Sequence, residues 1–154
     1  MLITSKGRYA LRLMIYIATF GGNGEAENPV AASGAPATKI ALREVAESEK
    51  SSLKYLEQLV RPLIAAGLLK SARGKGGGYM LARPARTILA GDVLRAAEGD
   101  KAAIACDGLE GACGRSELCS TVKFWTGLEQ VIDTYVDSTT LEELARIPEI
   151  KLSI

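Results

Sequence analysis

The sequence predicts a mainly α-helical fold with a small β wing, and three observations support that class. Apolar residues recur every three or four positions in several segments, as they do in amphipathic helices. The glycine-rich basic segment RGKGGG lies between two short apolar runs typical of hairpin strands. The 154 residues and the hydrophobic fraction of 47% are enough for a packed core.

The first predicted helix begins after Ser5 as its N-cap and runs from Lys6 to about Phe20. Its apolar positions are expected to face the core. Its first turns carry cations and no acid, so we expect Lys6 and Arg8 to lie beside a phosphate backbone. The segment 21–38 is rich in glycine, proline and short side chains without periodicity, which predicts an exposed inserted loop.

Two helices separated by a short turn are predicted next. Helical spacing resumes from Lys39 to Ser48, the turn covers 49–51, and Ser52 is the expected N-cap of the following helix. The residues of this second helix predicted to face the core are Leu53, Leu56, Leu59, Val60 and Leu63. The residues that could contact phosphates or base edges are Ser52, Lys54, Tyr55, Glu57 and Gln58. Pro62 is expected to bend the last turn of the helix.

A basic hairpin is predicted directly after this helix, which Gly67 should end. Strands are expected at 68–71 and 79–81, with Arg73 and Lys75 among the glycines of the turn. Glycine permits positive φ and close approach to a polyanion. Two helices followed by such a hairpin indicate a winged helix-turn-helix that binds DNA, although the alternative of an amphipathic hairpin in an unrelated fold stays open. A short strand at 87–89 and a helix at 90–97, closed by Gly99, should complete a DNA-binding domain at 1–99.

Charge is distributed unevenly along the chain. Residues 1–86 hold 13 Lys/Arg against 6 Asp/Glu, whereas residues 87–154 hold 6 against 12. This asymmetry suits a first half that meets a polyanion. The chain has no histidine, nucleophile motif or convergent acid pair, so we expect no enzyme and no small-molecule substrate. It also shows no membrane-spanning run or secretion signal, which predicts a cytoplasmic protein.

All three cysteines fall in one polar, glycine-containing segment, predicted to be a loop at 100–119. Cys106, Cys113 and Cys119 are separated by six and then five residues. Thiolates bind soft metals, and a flexible loop lets several sulfurs converge on one centre. A zinc site formed by these three cysteines is plausible. An odd cysteine count without a secretion signal argues against a disulfide framework.

The last long helix is predicted to begin near Ser120 and to end at Asp137. Its apolar stripe comprises Val122, Trp125, Leu128, Val131, Ile132 and Tyr135. We predict that 120–154 is a dimerisation segment with a short capped helix from Thr140, although packing on its own domain is the alternative. A two-fold dimer would place two recognition helices about one turn of duplex apart, or a multiple of that.

The segments ITSKGRYAL, YLEQL and RGKGGGYML, with the three-cysteine loop and the tryptophan-bearing helix after it, resemble the IscR-type winged-helix regulators. This group of iron–sulfur-sensing proteins is related to the nitric-oxide sensor NsrR and the cysteine-metabolism repressor CymR. The resemblance covers nearly the whole chain. It implies a bacterial, homodimeric repressor or activator that binds promoter DNA and carries an iron–sulfur cluster, with 2Fe-2S favoured and 4Fe-4S possible.

The resemblance also assigns roles by position. It matches Ser52, Lys54, Glu57 and Gln58 to the base-contacting face, and Arg73 to a wing arginine that enters the minor groove. It matches Cys106, Cys113 and Cys119 to the cluster ligands.

The fourth ligand departs from the family pattern. The histidine ligand of IscR corresponds to Val122, and the aspartate that NsrR takes from the partner corresponds to Arg8. The remaining options are a small exogenous ligand, a residue of the partner subunit, or an oxygen donor among Asp107, Glu110, Glu117, Ser120 and Thr121. A thiol–disulfide repressor without iron and a zinc-stabilised DNA-binding module remain alternative functions.

Overall fold

The computed structural model describes residues 3–21, 38–74, 76–99 and 118–146. The helices are α1 (Ser5–Phe20), α2 (Leu42–Ser48), α3 (Leu53–Ala65), α4 (Ala90–Glu98), α5 (Val122–Ser138) and α6 (Leu141–Arg146). The strands are β1 (Leu69–Ala72) and β2 (Gly78–Leu81), which form an antiparallel hairpin. The mainly α fold with a small β wing is therefore confirmed.

Helix α1 is capped by Thr4, so the prediction of Ser5 as its N-cap was wrong. Thr4 has an extended backbone, and its hydroxyl oxygen accepts a hydrogen bond from the amide of Lys6 at 3.1 Å. Ser5 is already helical. The same Thr4 side chain is held by Glu98 of α4, so a contact remote in sequence fixes where the helix begins.

Helix α2 begins at Leu42, three residues later than predicted. Ile40 instead forms an isolated β bridge with Tyr79, with amide-to-carbonyl distances of 2.9 and 2.8 Å in the two directions. Gly78 allows this approach, because a Cβ there would lie 2.7 Å from the carbonyl oxygen of Ile40. The wing is thereby fastened to the start of the helix-turn-helix.

Helix α3 follows its prediction closely. The Ser52 hydroxyl oxygen accepts a hydrogen bond from the Tyr55 amide at 3.2 Å, which confirms the N-cap. Leu56, Leu59, Val60 and Leu63 are buried, whereas Leu53 is 37% exposed and does not belong to the core. The helix continues through Pro62 to Ala65, and Gly67 follows at φ +69°.

The wing has the predicted hairpin form. Leu69 pairs with Leu81 and Ala72 with Gly78, and Gly74 and Gly76 in the turn have positive φ. The predicted strand at 87–89 was wrong, because Ala85–Thr87 form a 3-10 turn. Leu89 makes only an isolated bridge with Thr140, which brings the start of α6 against this turn.

Helix α1 lies at the centre of the main core, where Leu13, Met14 and Ile17 are fully buried. Leu141 of α6 is also fully buried in this cluster, and α6 packs on α1 and on the 3-10 turn Ala85–Thr87. Helix α5 packs on α4 through a second, smaller cluster that joins Val136 to Ala90 and Leu94. Within the described ranges, no helix combines the length and apolarity needed to cross a bilayer.

Candidate nucleic-acid interface and cysteine site

The first turns of α1 lie beside the start of α3. The ring of Tyr9 meets the ring of Tyr55 edge-on, with centroids 5.5 Å apart and an interplanar angle of 86°. The guanidinium of Arg12 lies 5.8 Å from the Tyr9 ring centroid and forms an ion pair with Glu49 in the helix-turn-helix turn. These contacts bring the cationic end of α1 and the beginning of α3 to one region of the surface.

Most of the residues expected to contact DNA are exposed. This holds for Lys6, Arg8, Ser52, Lys54, Glu57, Gln58 and Arg73. Lys75 lies outside the described residues. Exposure leaves these side chains accessible to a duplex.

Tyr55 differs from its neighbours on α3. It is half-buried against the core, and its hydroxyl is buried without a hydrogen-bond partner among the described residues. The interaction with Tyr9 turns this side chain toward α1. Its position is that of a packing residue between α1 and α3 rather than of a side chain directed to solvent.

Glu98, the last residue of α4, accepts hydrogen bonds from the N-terminus of α1. One carboxylate oxygen accepts hydrogen bonds from the amides of Thr4 at 2.6 Å and Gly7 at 2.8 Å, and the Thr4 hydroxyl donates to the same carboxylate. Desolvation raises the pKa of Glu98, but the hydrogen bonds from Gly7 and Thr4, together with the nearby charge of Lys6, lower the pKa on balance. We call these contacts the Glu98 clamp.

Helix α4 is also tied to α5 by an ion pair. Both terminal nitrogens of Arg95 donate to the carboxylate of Asp137, at 2.5 and 3.3 Å. The hydrogen bonds that Arg95 donates to Asp137 raise the pKa of Arg95 despite partial desolvation. Arg83 pairs with Asp92 at 2.7 Å and so joins the segment after the wing to the same helix.

Cys119 is the one predicted cluster ligand within the described residues, and Cys106 and Cys113 lie outside them. Its sulfur lies 3.3 Å from the hydroxyl of Thr121, just before α5 begins. Hydrogen bonds from the Thr121 side chain, the Thr121 amide and the Val122 amide lower the pKa of this thiol. A thiol with a lowered pKa is suited to metal binding or to thiol chemistry.

The described residues show no group of three metal-binding side chains. Of the proposed oxygen donors to a cluster, Ser120 and Thr121 are described and exposed, whereas Asp107, Glu110 and Glu117 lie outside the described ranges.

Helix α5 exposes part of its apolar stripe. Val131 and Tyr135 of the stripe are 66% and 71% exposed, and Phe124, an apolar residue outside the predicted stripe, is 64% exposed. A shallow depression along the helix is lined by Gly127, Gln130, Val131, Thr134, Tyr135 and Ser138. On its other side, Val136 packs with Ala90 and Leu94 of α4, and Ile132 of the stripe packs against the same cluster.

The Glu98 clamp and the Arg95–Asp137 pair were not predicted from the sequence. One signal for the clamp was present, because an acid in the last turn of a helix opposes the helix dipole. A carboxylate at such a position is stabilised when it accepts hydrogen bonds from another part of the chain. The pairing of Arg95 with Asp137 had no comparable local signal, since the two residues are 42 positions apart.

Comparison with known proteins identifies the family. The family model Rrf2, described as an iron-dependent transcriptional regulator, matches residues 3–147. The chain belongs to the Rrf2 family. The HTH-type transcriptional regulator IscR of Xenorhabdus nematophila is 35% identical over 150 residues, which cover 97% of this chain and 82% of that protein. IscR of Erwinia tasmaniensis is 36% identical over the same share of each chain.

Solved structures of Rrf2 relatives have the same fold. CymR (YrzC), the global cysteine regulator of B. subtilis, has a TM-score of 0.71 and 33% identity, covering 94% of this chain and 96% of its own. The T. potens IscR structure has a TM-score of 0.66 and 29% identity, covering 94% and 85%. The winged-helix assignment is therefore confirmed. These relatives are transcriptional regulators and not enzymes, so this Rrf2 protein is a transcriptional regulator, a function that implies DNA binding.

Proposed function

We propose that this Rrf2-family protein is a homodimeric regulator of promoters whose affinity for DNA responds to an iron–sulfur cluster held by Cys106, Cys113 and Cys119. The single observation that carries the cluster proposal is the place of Cys119, whose half-buried thiol lies directly before α5, at the end of the segment that holds all three cysteines. The similarity to proteins named IscR supports the same proposal.

The proposed DNA face combines three elements. Lys6 and Arg8 at the start of α1 contact phosphates, because their cationic side chains are exposed. The exposed side chains Ser52, Lys54, Glu57 and Gln58 of the recognition helix contact phosphates and base edges in the major groove. Arg73 and Lys75 of the wing approach the minor groove. Tyr55 supports this face by packing on Tyr9.

The proposed dimer interface is the exposed apolar face of α5. Phe124, Val131 and Tyr135 are exposed on a helix whose other side packs on α4. A second copy of the same helix would cover these side chains, as a two-fold interface does. Two recognition helices would then address two half-sites of one operator.

The proposed cluster site joins α4 to α5. The chain leaves α4 after Glu98 and returns to described structure at Leu118, so all three cysteines lie between Gly99 and Val122. Thiolate sulfur is the donor that iron–sulfur clusters use, and Cys119 is suited to that role. When bound, the cluster would supply a centre that reacts with oxygen or nitric oxide. A 2Fe-2S cluster is our first choice, with a fourth ligand from Ser120, Thr121 or another of the oxygen donors named above, an exogenous molecule or the partner subunit.

The second candidate function is a thiol–disulfide switch without iron. A partly exposed thiol with a lowered pKa is also suited to oxidation. A chain 37% identical, Staphylococcus aureus CymR, has been solved in an oxidised form, with a TM-score of 0.66 and coverage of 95% of this chain and 97% of that one. A zinc site would be a third, colourless arrangement of the same sulfurs.

Anaerobic purification followed by absorption spectroscopy and iron and sulfide analysis tests the cluster. We expect visible absorbance with equal amounts of iron and sulfide, and loss of both in Cys106→Ala, Cys113→Ala and Cys119→Ala. Iron content unchanged in all three variants would contradict the site. Bound zinc, or a reversible disulfide without iron, would favour one of the other functions.

Fluorescence anisotropy with a promoter duplex tests the DNA face. Arg73→Ala should weaken binding by about 1–3 kcal/mol if this side chain contacts a base or a narrow groove. Arg86→Ala is a matched control, because Arg86 is also exposed but lies after the wing. Wild-type affinity for the Arg73 variant would remove the wing from the interface.

A further inference from the structure

The Glu98 clamp connects two parts of the protein with different proposed roles. Glu98 is the last residue of α4, and the chain enters the cysteine-bearing segment directly after Gly99. Its carboxylate binds the first turn of α1, where Lys6 and Arg8 are exposed. The clamp therefore sits between the cysteine segment and the cationic end of α1.

The geometry around Gly7 shows how closely the helices approach. A Cβ on Gly7 would lie 2.9 Å from the Glu98 carboxylate oxygen and 2.9 Å from the Leu94 side chain. A larger residue would push the carboxylate away from the Gly7 amide, to which it is bonded at 2.8 Å. Glycine at this position is what lets α4 reach the end of α1.

The clamp fixes the direction in which the α1 cations project. Gly7 lies between Lys6 and Arg8 in the sequence, so a bond to its amide restrains the backbone that carries both side chains. The bonds from Glu98 to Thr4 restrain the cap residue of the same turn. The terminal turn of a helix frays easily when its amides lack partners.

We propose that Glu98 is a positioning residue for DNA binding, which holds the first turn of α1 so that Lys6 and Arg8 can contact duplex phosphates. This inference rests on the proposed DNA face. It goes beyond the proposed DNA face because it assigns a role in DNA binding to a residue that does not contact DNA. Glu98 carries a negative charge and is unsuited to contact a phosphate.

That negative charge makes the inference testable against simple electrostatics. Removal of an acid close to Lys6 reduces repulsion from DNA, so a purely electrostatic role predicts tighter binding for every neutral replacement. A positioning role predicts the opposite for a residue that cannot accept hydrogen bonds. Glu98→Ala removes both charge and acceptors, whereas Glu98→Gln removes the charge and keeps one carbonyl acceptor for the Thr4 and Gly7 amides.

Titration of a promoter duplex by fluorescence anisotropy at several salt concentrations distinguishes these roles. We expect Glu98→Ala to raise the Kd on the order of tenfold at moderate salt and to lower the salt slope, by about 0.9 for each phosphate that the protein no longer neutralises. Glu98→Gln should bind at least as tightly as wild type with the wild-type slope. Circular dichroism melting checks that each variant is folded, and all titrations use the full chain.

Gly7→Ala is the second variant, and it replaces Glu98→Ala if the latter does not fold. It leaves the charge of Glu98 in place but displaces the carboxylate, so it should reproduce the weaker binding and the lower slope. Wild-type or tighter binding with an unchanged slope in the folded variants would overturn the positioning role. If wild-type protein itself failed to bind promoter duplexes, the proposed function would fail instead.

Discussion

The ring of Tyr55 meets the ring of Tyr9 edge-on, with 5.5 Å between their centroids, and this contact joins α3 to α1. Such a pair stabilises by about 0.5–1.5 kcal/mol beyond the burial of its area. The hydroxyl of Tyr55 is buried without a partner among the described residues. The position of this residue therefore depends on its ring and not on its polar atom.

Tyr55→Phe and Tyr55→Ala should separate the ring from the hydroxyl. Tyr55→Phe should leave the free energy of unfolding unchanged or raise it by about 1 kcal/mol, because a buried hydroxyl without a partner destabilises the fold. Tyr55→Ala should lower it by about 2 kcal/mol, since the ring is only half-buried. Urea unfolding measures the free energy of unfolding of both variants. A loss of stability in Tyr55→Phe would contradict the prediction and would indicate that the hydroxyl makes a hydrogen bond.

A substitution at Gly91 should disturb the packing of α4 on α5. A Cβ at this position would overlap a carboxylate oxygen of Asp137. Gly91→Ala should therefore destabilise the protein by about 1–3 kcal/mol, as overpacking does. In the Asp137→Ala background this overlap is gone, and the remaining close atom, Nη2 of Arg95 at 2.7 Å, lies at the end of a flexible side chain that Asp137 no longer holds. The same change should then be neutral or stabilising by up to about 1 kcal/mol. If Gly91→Ala changed the free energy of unfolding equally in the two backgrounds, Asp137 would not be the residue that the added Cβ contacts.

The reactivity of Cys119 should depend on Thr121. Hydrogen bonds from the Thr121 side chain lower the pKa of this thiol, so Thr121→Val should raise it toward the ordinary value of a cysteine, about 8.5. Because the thiolate is the reactive form, the alkylation rate should then rise at a higher pH than in the parent protein. A parent carrying Cys106→Ser and Cys113→Ser confines the measurement to one thiol. If the alkylation rates of the parent and of the Thr121→Val protein depended on pH in the same way, the Thr121 hydroxyl would not be the cause of the lowered pKa.

A charge on the exposed face of α5 should prevent dimerisation. Val131 is 66% exposed in the single chain, and Val131→Asp would bury an unpaired carboxylate in the proposed interface. Sedimentation velocity should show a dimer for wild type and a monomer for the variant at micromolar concentration. Asp133→Ala, a change elsewhere on the same helix, is the control and should remain dimeric. A dimeric Val131→Asp protein would place the interface elsewhere.

The Glu98 clamp should make stability depend on pH. The pKa of Glu98 is lowered in the folded protein, so its contribution to stability is present above the unfolded pKa of about 4.3 and is lost as the pH falls through the lower folded value. Glu98→Gln cannot titrate. The difference in unfolding free energy between wild type and this variant should therefore be largest near neutral pH and should narrow below about pH 4. A difference independent of pH would show that the carboxylate is not held in its charged form.

The local pattern predicted most helices but not where two of them begin. The N-cap of α3 was predictable because Ser52 bonds an amide three residues ahead, which is a purely local interaction. The true cap of α1 depends on Glu98, and the late start of α2 depends on the pairing of Ile40 with Tyr79. Glu98 and Tyr79 both lie too far along the chain to affect the local spacing of apolar residues from which the helices were predicted. Leu53 fitted the apolar spacing of α3 but lies at its exposed first turn.

The sequence by itself determined the helix-turn-helix, the glycine turn of the wing and the asymmetry of charge, because each follows from neighbouring residues and their spacing. Tertiary structure alone decided that Tyr55 packs on Tyr9, that Arg95 pairs with Asp137, and that Glu98 holds the start of α1. These contacts join residues 46, 42 and 91 positions apart. Such pairs form only after the helices have packed, so their partners are set by the fold and not by the local sequence.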